Sequence, residues 1–139
     1  ASSSAASDVY KRQILNDAYK EEVLENESKR VVLSLKKHLS PVKIAVIPLK
    51  KNVEDIVSAS IEIKNKLLKL NLGRITIENT GNIGKSYRKH DEIGTPLCIT
   101  VDYDTIEDNK VTFRDRDTME QRSIDLESLE KDVLDFFRN

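Results

Sequence analysis

From Lys43 onward the apolar residues fall alternately into short continuous runs and into stripes of helical spacing. The run KIAVIPL (Lys43 to Leu49) is nearly unbroken, which suits a strand covered on both faces and points to parallel pairing. Asn52 stands as an N-cap with Asp55 three residues on, and Val53, Ile56, Val57, Ser60, Ile63, Leu67 and Leu70 share one helix face up to Gly73. RITIE (Arg74 to Glu78) alternates as a second strand, so Lys43 to Glu78 forms a strand-helix-strand unit. Asn82 is placed to cap a short helix that Gly94 ends and Pro96 keeps from continuing.

LCITVDY supplies a third strand and DTIEDN a polar turn. KVTFR and MEQRSIDL pair as an antiparallel hairpin; Asp125 then caps a last helix with Leu126, Leu129, Val133, Phe136 and Phe137 on one side. The order β-α-β-α-β-β-β-α predicts an α/β fold, a mixed five-stranded sheet flanked by three helices. Upstream, Ile14, Leu15, Ala18, Tyr19, Glu22 and Val23 recur at helical spacing, and RVVLSLKKHLSP reads as an apolar connector with His38 on the surface or in packing. The first residues are Ser- and Ala-rich with a charged stub. The expected division is therefore 1–13 as an unrelated or disordered tail, 14–42 as helix and connector, and 43–139 as the folded domain.

Composition narrows the functions available. With 139 residues, 38% hydrophobic and 34% charged, the chain makes one domain with an aliphatic core. Four tyrosines, three phenylalanines and no tryptophan argue against an aromatic stacking platform for single strands. Lys+Arg 23 against Asp+Glu 24 leaves a net charge of -1, so any contact with a polyanion has to be local. One cysteine, Cys98, cannot form an internal disulfide; in its apolar run it reads as a buried thiol suited to a reducing cytosol. No apolar run approaches membrane-spanning length, and no membrane partner is expected.

Catalytic signatures are weak throughout. GKS at Gly84 to Ser86 imitates the end of a phosphate loop, but the glycine required five residues earlier is Asn79. Asp102, Asp104, Glu107 and Asp108 lack the glycine-centred loop of a calcium hand, and two isolated histidines have no metal-ligand spacing. No serine carries an adjacent base pattern. The segment itself is therefore expected to be inactive as an enzyme and to hold no metal or cofactor.

The most specific stretch is RDRDTMEQ (Arg114 to Gln121), where a strand runs into four alternating full charges. An ordinary charged turn is a solvated hairpin whose charges neutralise each other. Together with DEIGTP (Asp91 to Pro96), however, and across Gly81 to Gln121, the sequence resembles the C-terminal anticodon-binding domain of glycyl-tRNA synthetases of the dimeric, eukaryote-like type. LNDAYKEE resembles the stretch that follows the last signature motif of that family's catalytic domain, and HLSPVKIAVIPL its first strand. Asp102, where the prolyl relatives usually carry glycine, favours the glycyl branch.

The resemblance implies a fold of the anticodon-binding type, with residues 14–42 arriving from the end of a catalytic region. It further implies an upstream catalytic domain that uses ATP and magnesium to attach glycine to its tRNA, a homodimeric parent, glycine tRNA as partner and a cytoplasmic setting. Glycine anticodons end in two cytosines, whose pairing edge shows one amino donor beside two acceptors. Arg114 and Arg116 are suited to the acceptors and Asp115 and Asp117 to the donor, with Asp91 and Glu92 as further acceptors. Lys85, Arg88 and Lys89 are suited to phosphates; Tyr87 either packs or stacks on a base. The alternative is a noncatalytic protein-interaction or accessory subunit with the same fold, as in the accessory subunit of mitochondrial DNA polymerase. In that case the charged hairpin is a surface turn.

Overall fold

The computed structural model of the chain describes residues 3–25 and 29–138. Helix α1 (Ser3–Ala18) leads into strand β1 (Tyr19–Val23), which pairs antiparallel with β2 (Lys29–Leu33). A 3-10 turn (Lys37–Leu39) precedes β3 (Ile44–Pro48), α2 (Glu54–Leu68), β4 (Ile75–Ile77), α3 (Ile83–Ile93) and β5 (Leu97–Val101). The chain continues through α4 (Tyr103–Asp108), β6 (Lys110–Asp115), β7 (Gln121–Asp125), a second 3-10 turn (Leu126–Ser128) and α5 (Leu129–Arg138).

The main sheet has five strands in the order β4-β3-β5-β6-β7. β3 runs parallel to both β4 and β5, while β5 with β6 and β6 with β7 are antiparallel. This is the mixed α/β sheet expected from the apolar rhythm. β3 and β5, the two fully buried strands, hold its middle. One face of the sheet carries Ile44, Val46, Leu97, Ile99, Val101, Val111 and Phe113 against α2 and α5 and forms the main core. The opposite face carries Ala45, Ile47 and Cys98, covered by Ile83 and Tyr87 of α3. Cys98 is buried as expected, and burial pushes its thiol up to about 12.

Several local expectations are corrected. Tyr19–Val23 is a strand rather than the end of a helix, because the connector that follows is itself a strand and supplies its partner. The helix before it covers Ser3–Ala18. The N-cap of α2 is Val53, not Asn52, and no side chain caps it; Glu54 and Asp55 in the first turn offset the helix dipole instead. The polar turn after β5 contains the extra helix α4. It is closed by a capping box in which Asp102 Oδ1 accepts from the Thr105 amide and Thr105 Oγ1 accepts from the Asp102 amide. Asp125 makes no side-chain cap bond; the 3-10 turn intervenes before α5.

The ends of α3 follow the sequence reading. Asn82 Oδ1 accepts from the Lys85 amide at 3.0 Å, and Gly94 closes the helix in the left-handed region at φ 86°. Gly94 is also confined: a Cβ there would stand 3.0 Å from the Leu33 carbonyl oxygen and 3.1 Å from Leu35 Cδ1. The tight contact lets α3 lie directly against β2. Gly94→Ala is expected to destabilise the fold by about 1–2 kcal/mol from backbone conformation alone, measured by urea unfolding; an unchanged midpoint would contradict this packing.

Candidate functional site

A cleft of about 600 Å³ opens where α3, the β1-β2 hairpin and the β6-β7 hairpin converge. α3 contributes Gly84, Tyr87, Arg88, Asp91 and Glu92, a set with the three-to-four residue spacing of one helix side. Lys29, Arg30 and Val31 come from β2, and Arg114, Met119 and Gln121 from the β6-β7 hairpin.

The floor of this cleft is a buried ionic core. Asp91, 4% exposed, accepts a two-pronged bond from Arg114, Nη1 to Oδ1 at 2.8 Å and Nη2 to Oδ2 at 3.1 Å. Arg30 Nε donates to the same Oδ2 at 3.1 Å, and Arg30 Nη1 donates to Glu22 Oε2 at 2.8 Å. Glu22 and Arg30 are direct cross-strand partners in the β1-β2 ladder. The remaining Arg30 nitrogen, Nη2, donates to the Arg116 carbonyl. Arg114 also lies 4.6 Å from the centre of the Tyr87 ring, whose hydroxyl pairs with Thr100 Oγ1 at 2.6 Å. Tyr87 is a packing residue here.

Arg116, 2% exposed, is held just as firmly. Its Nη1 donates to the Gly94 carbonyl at 2.9 Å and its Nη2 to the Leu35 carbonyl at 2.6 Å. Its Nε donates to Asp117 Oδ1 at 3.0 Å, and the Ser34 hydroxyl donates to the same oxygen at 2.9 Å. Asp115 Oδ1 accepts from the Asp117 amide at 2.8 Å and so shapes the turn. The four charges therefore do not stand side by side on an outer surface. Arg114 points into the α3 cleft, Arg116 and Asp117 line a separate cleft with Ser34 to His38, and Asp115 lines a third with Glu120 and Arg122. The pleat and the end of the strand at Asp115 divide them.

The remaining sequence candidates are spread over α3. Arg88 and Glu92 are exposed and line the main cleft; Lys85 is exposed near the start of the helix and outside its lining. Lys89 turns away and donates to Glu78 Oε1 at 2.8 Å. Buried His90 has Nδ1 paired with Thr95 Oγ1 at 2.7 Å, while Nε2 lies 3.2 Å from Glu78 Oε1 without a well-aligned hydrogen bond. Burial holds the His90 pKa below its usual value despite the nearby Glu78 carboxylate. For Glu78, burial opposes ionisation, but Lys89 and His90 outweigh it and lower the pKa; for Asp117, where burial also opposes ionisation, Arg116 and Ser34 do the same. Among the described residues no cluster of His, Cys, Asp and Glu could hold a metal ion.

The profile of a family described as "Anticodon binding domain" matches residues 43–135. The chain belongs to that family. Among curated relatives, a glycine–tRNA ligase of Thermus thermophilus is 52% identical over 111 residues, covering 73% of this chain and 22% of the relative. A glycine–tRNA ligase of Deinococcus radiodurans is 46% identical over 135 residues, covering 91% of this chain and 27% of the relative. This anticodon-binding domain thus spans about a quarter of the length of these relatives. A solved prolyl-tRNA synthetase of Cryptosporidium parvum, complexed with L-proline and AMP, shares the fold. Its TM-score is 0.70 at 21% identity, over 85% of this chain and 30% of that one.

Asp91 and Arg114 are both candidates in the sequence, each for a base and not for the other, whereas Arg30, Glu22, Ser34 and Gln121 are not singled out there. The alternation in β2 carries a signal for Arg30, which shares the parity of buried Val32. Asp91→Ala leaves two buried guanidiniums without their shared carboxylate and is expected to cost about 3–5 kcal/mol in urea unfolding, whereas a loss under about 1 kcal/mol would refute the network. Stability should also fall in two stages on acidification. The first comes as the pH drops below about 6.5, where unfolded chains protonate the histidine that the fold keeps neutral; the second comes below the ordinary carboxylate range, as Glu78 and Asp117 are protonated. His90→Gln should remove the first stage, read from thermal midpoints across pH.

Proposed function

We propose that this anticodon-binding domain is the tRNA-recognition module of a glycine–tRNA ligase of the dimeric, eukaryote-like type. The observation that carries the proposal is the 52% and 46% identity to glycine–tRNA ligases along a chain whose family profile is that of anticodon binding. In this reading the parent enzyme is a cytoplasmic homodimer, and an upstream catalytic domain binds ATP with magnesium and joins glycine to the tRNA. This segment holds the anticodon and does no chemistry itself.

The main cleft suits an unstacked nucleotide. Its floor of Arg30, Asp91 and Arg114 is paired internally, so a base entering the cleft meets a fixed ionic network and not a mobile charge. The exposed lining residues Arg88, Glu92 and Gln121 carry the polar heads that a base edge can engage. A cytosine amino group matches the Glu92 carboxylate, while its N3 and O2 acceptors match the Arg88 guanidinium or the Gln121 amide. Lys85 serves a neighbouring phosphate. Lys89, already paired to Glu78, contributes less. Arg116, Asp115 and Asp117 act indirectly, by fixing the hairpin that presents Met119 and Gln121. With a net charge of -1, affinity for RNA is weak and favoured at low salt.

The test is binding of an anticodon stem-loop that carries the two cytosines and of one that carries uridines in their place. The cytosine loop should bind more tightly, and Glu92→Ala or Arg88→Ala should each reduce that preference by about 1–3 kcal/mol, the worth of a well-aligned pair of bonds to a base edge. Lys85→Ala should weaken both RNAs equally. Equal binding of the two loops by the unaltered chain would overturn the assignment.

A further inference from the structure

The family profile begins at residue 43, yet one wall of the cleft comes from before it. We infer that the β1-β2 hairpin is part of the RNA site, with Lys29 contacting the phosphate backbone and Arg30 acting as a positioning residue for the Asp91-Arg114 pair. The inference rests on the anticodon reading and adds a second recognition element to it.

The geometry gives Arg30 no other task. It is 7% exposed, and each of its three guanidinium nitrogens is committed: Nε to Asp91, Nη1 to Glu22 and Nη2 to the Arg116 carbonyl. These acceptors lie on α3, β1 and the β6-β7 turn, so Arg30 ties β2 to its strand partner and to the two other elements beside the cleft. One planar fork thereby sets their mutual placement, which a lysine cannot do, having a single nitrogen. Within residues 43–135, Asp91 bonds only Arg114 among the described side chains; its second cation comes entirely from the hairpin. Removing that cation lets the Asp91 carboxylate turn, and with it Arg114 and the α3 side that carries Arg88 and Glu92.

Lys29 precedes Arg30 on β2; it is exposed and lines the cleft whose floor holds buried Arg30. Arg88 lines the cleft from α3. A nucleotide inserted between these walls has a phosphate on either side of its sugar, so cations on both walls match the backbone as it enters and leaves. Glu22, half-buried and bound to Arg30, balances the Arg30 charge and leaves Lys29 as the exposed cation that the hairpin brings to the cleft.

The experiment compares the full 139-residue chain with Lys29→Ala, Lys29→Arg, Arg30→Lys and the remote control Lys131→Ala, which lies on α5 outside the cleft. Affinities for the cytosine and uridine stem-loops are measured across salt concentrations, alongside thermal midpoints. Lys29→Ala is expected to weaken both RNAs alike, about fivefold at 0.1 M salt, and to lower the slope of log affinity against log salt by about 0.7–0.9. Lys29→Arg should restore both and Lys131→Ala should change neither. Arg30→Lys should reduce the cytosine preference about tenfold at a temperature where the chain remains folded, with the salt slope retained. An unchanged slope and affinity in Lys29→Ala, while the unaltered chain discriminates the two loops, overturns this inference alone. Failure of the unaltered chain to discriminate them overturns the anticodon reading and this inference together.

Discussion

A single carboxylate, that of Asp91, holds two guanidiniums from distant parts of the chain. Arg30 lies 61 positions before it and Arg114 23 positions after it. In a site this dry, each ion is tolerable only because the others are present and correctly oriented. The helix, the upstream hairpin and the downstream hairpin consequently come to one point, and the cleft is the space left between them. Apolar packing alone does not specify that arrangement. The core beneath α2 and α5 would accept small shifts of α3, whereas a forked bond between planar groups does not.

The two faces of the sheet divide the work. Leu97, Ile99, Val101, Val111 and Phe113 give one face an aliphatic and aromatic surface that buries α2 and α5. Across the same strands, Cys98, Thr100, Thr112 and Arg114 stand in register opposite one another and form a smaller, more polar face that is itself largely buried. Strand alternation alone produces this asymmetry, so one side of the sheet is sealed by apolar packing and the other by hydrogen bonds and the ion pair beneath the cleft.

Much of the fold was legible because its signals are local. The apolar run at Ile44–Pro48, the Asn82 cap, the Gly94 terminator and the alternation through Val111 and Phe113 each announce an element within a few residues. β1 was not legible, since Ile14 to Val23 fits a helical period and becomes partly strand only when β2 pairs with it. α4 was missed although Asp102 and Thr105 carry its capping signal, because a six-residue helix has no apolar stripe to reveal it. The ionic floor was harder still. Arg116 reaches Leu35 across 81 positions, and nothing within RDRD distinguishes a buried guanidinium from a solvated one. Family resemblance singled out segments that meet at one cleft, while the burial of their charges is a property of the tertiary structure.

The strand order leaves β4 and β7 at the margins of the main sheet. β4 is only three residues long, and β7 bears exposed Gln121, Arg122, Ser123 and Asp125. Neither offers a long apolar ribbon to which another chain's backbone could zip, so stacking of neighbouring copies into extended ladders is disfavoured even when such domains are crowded.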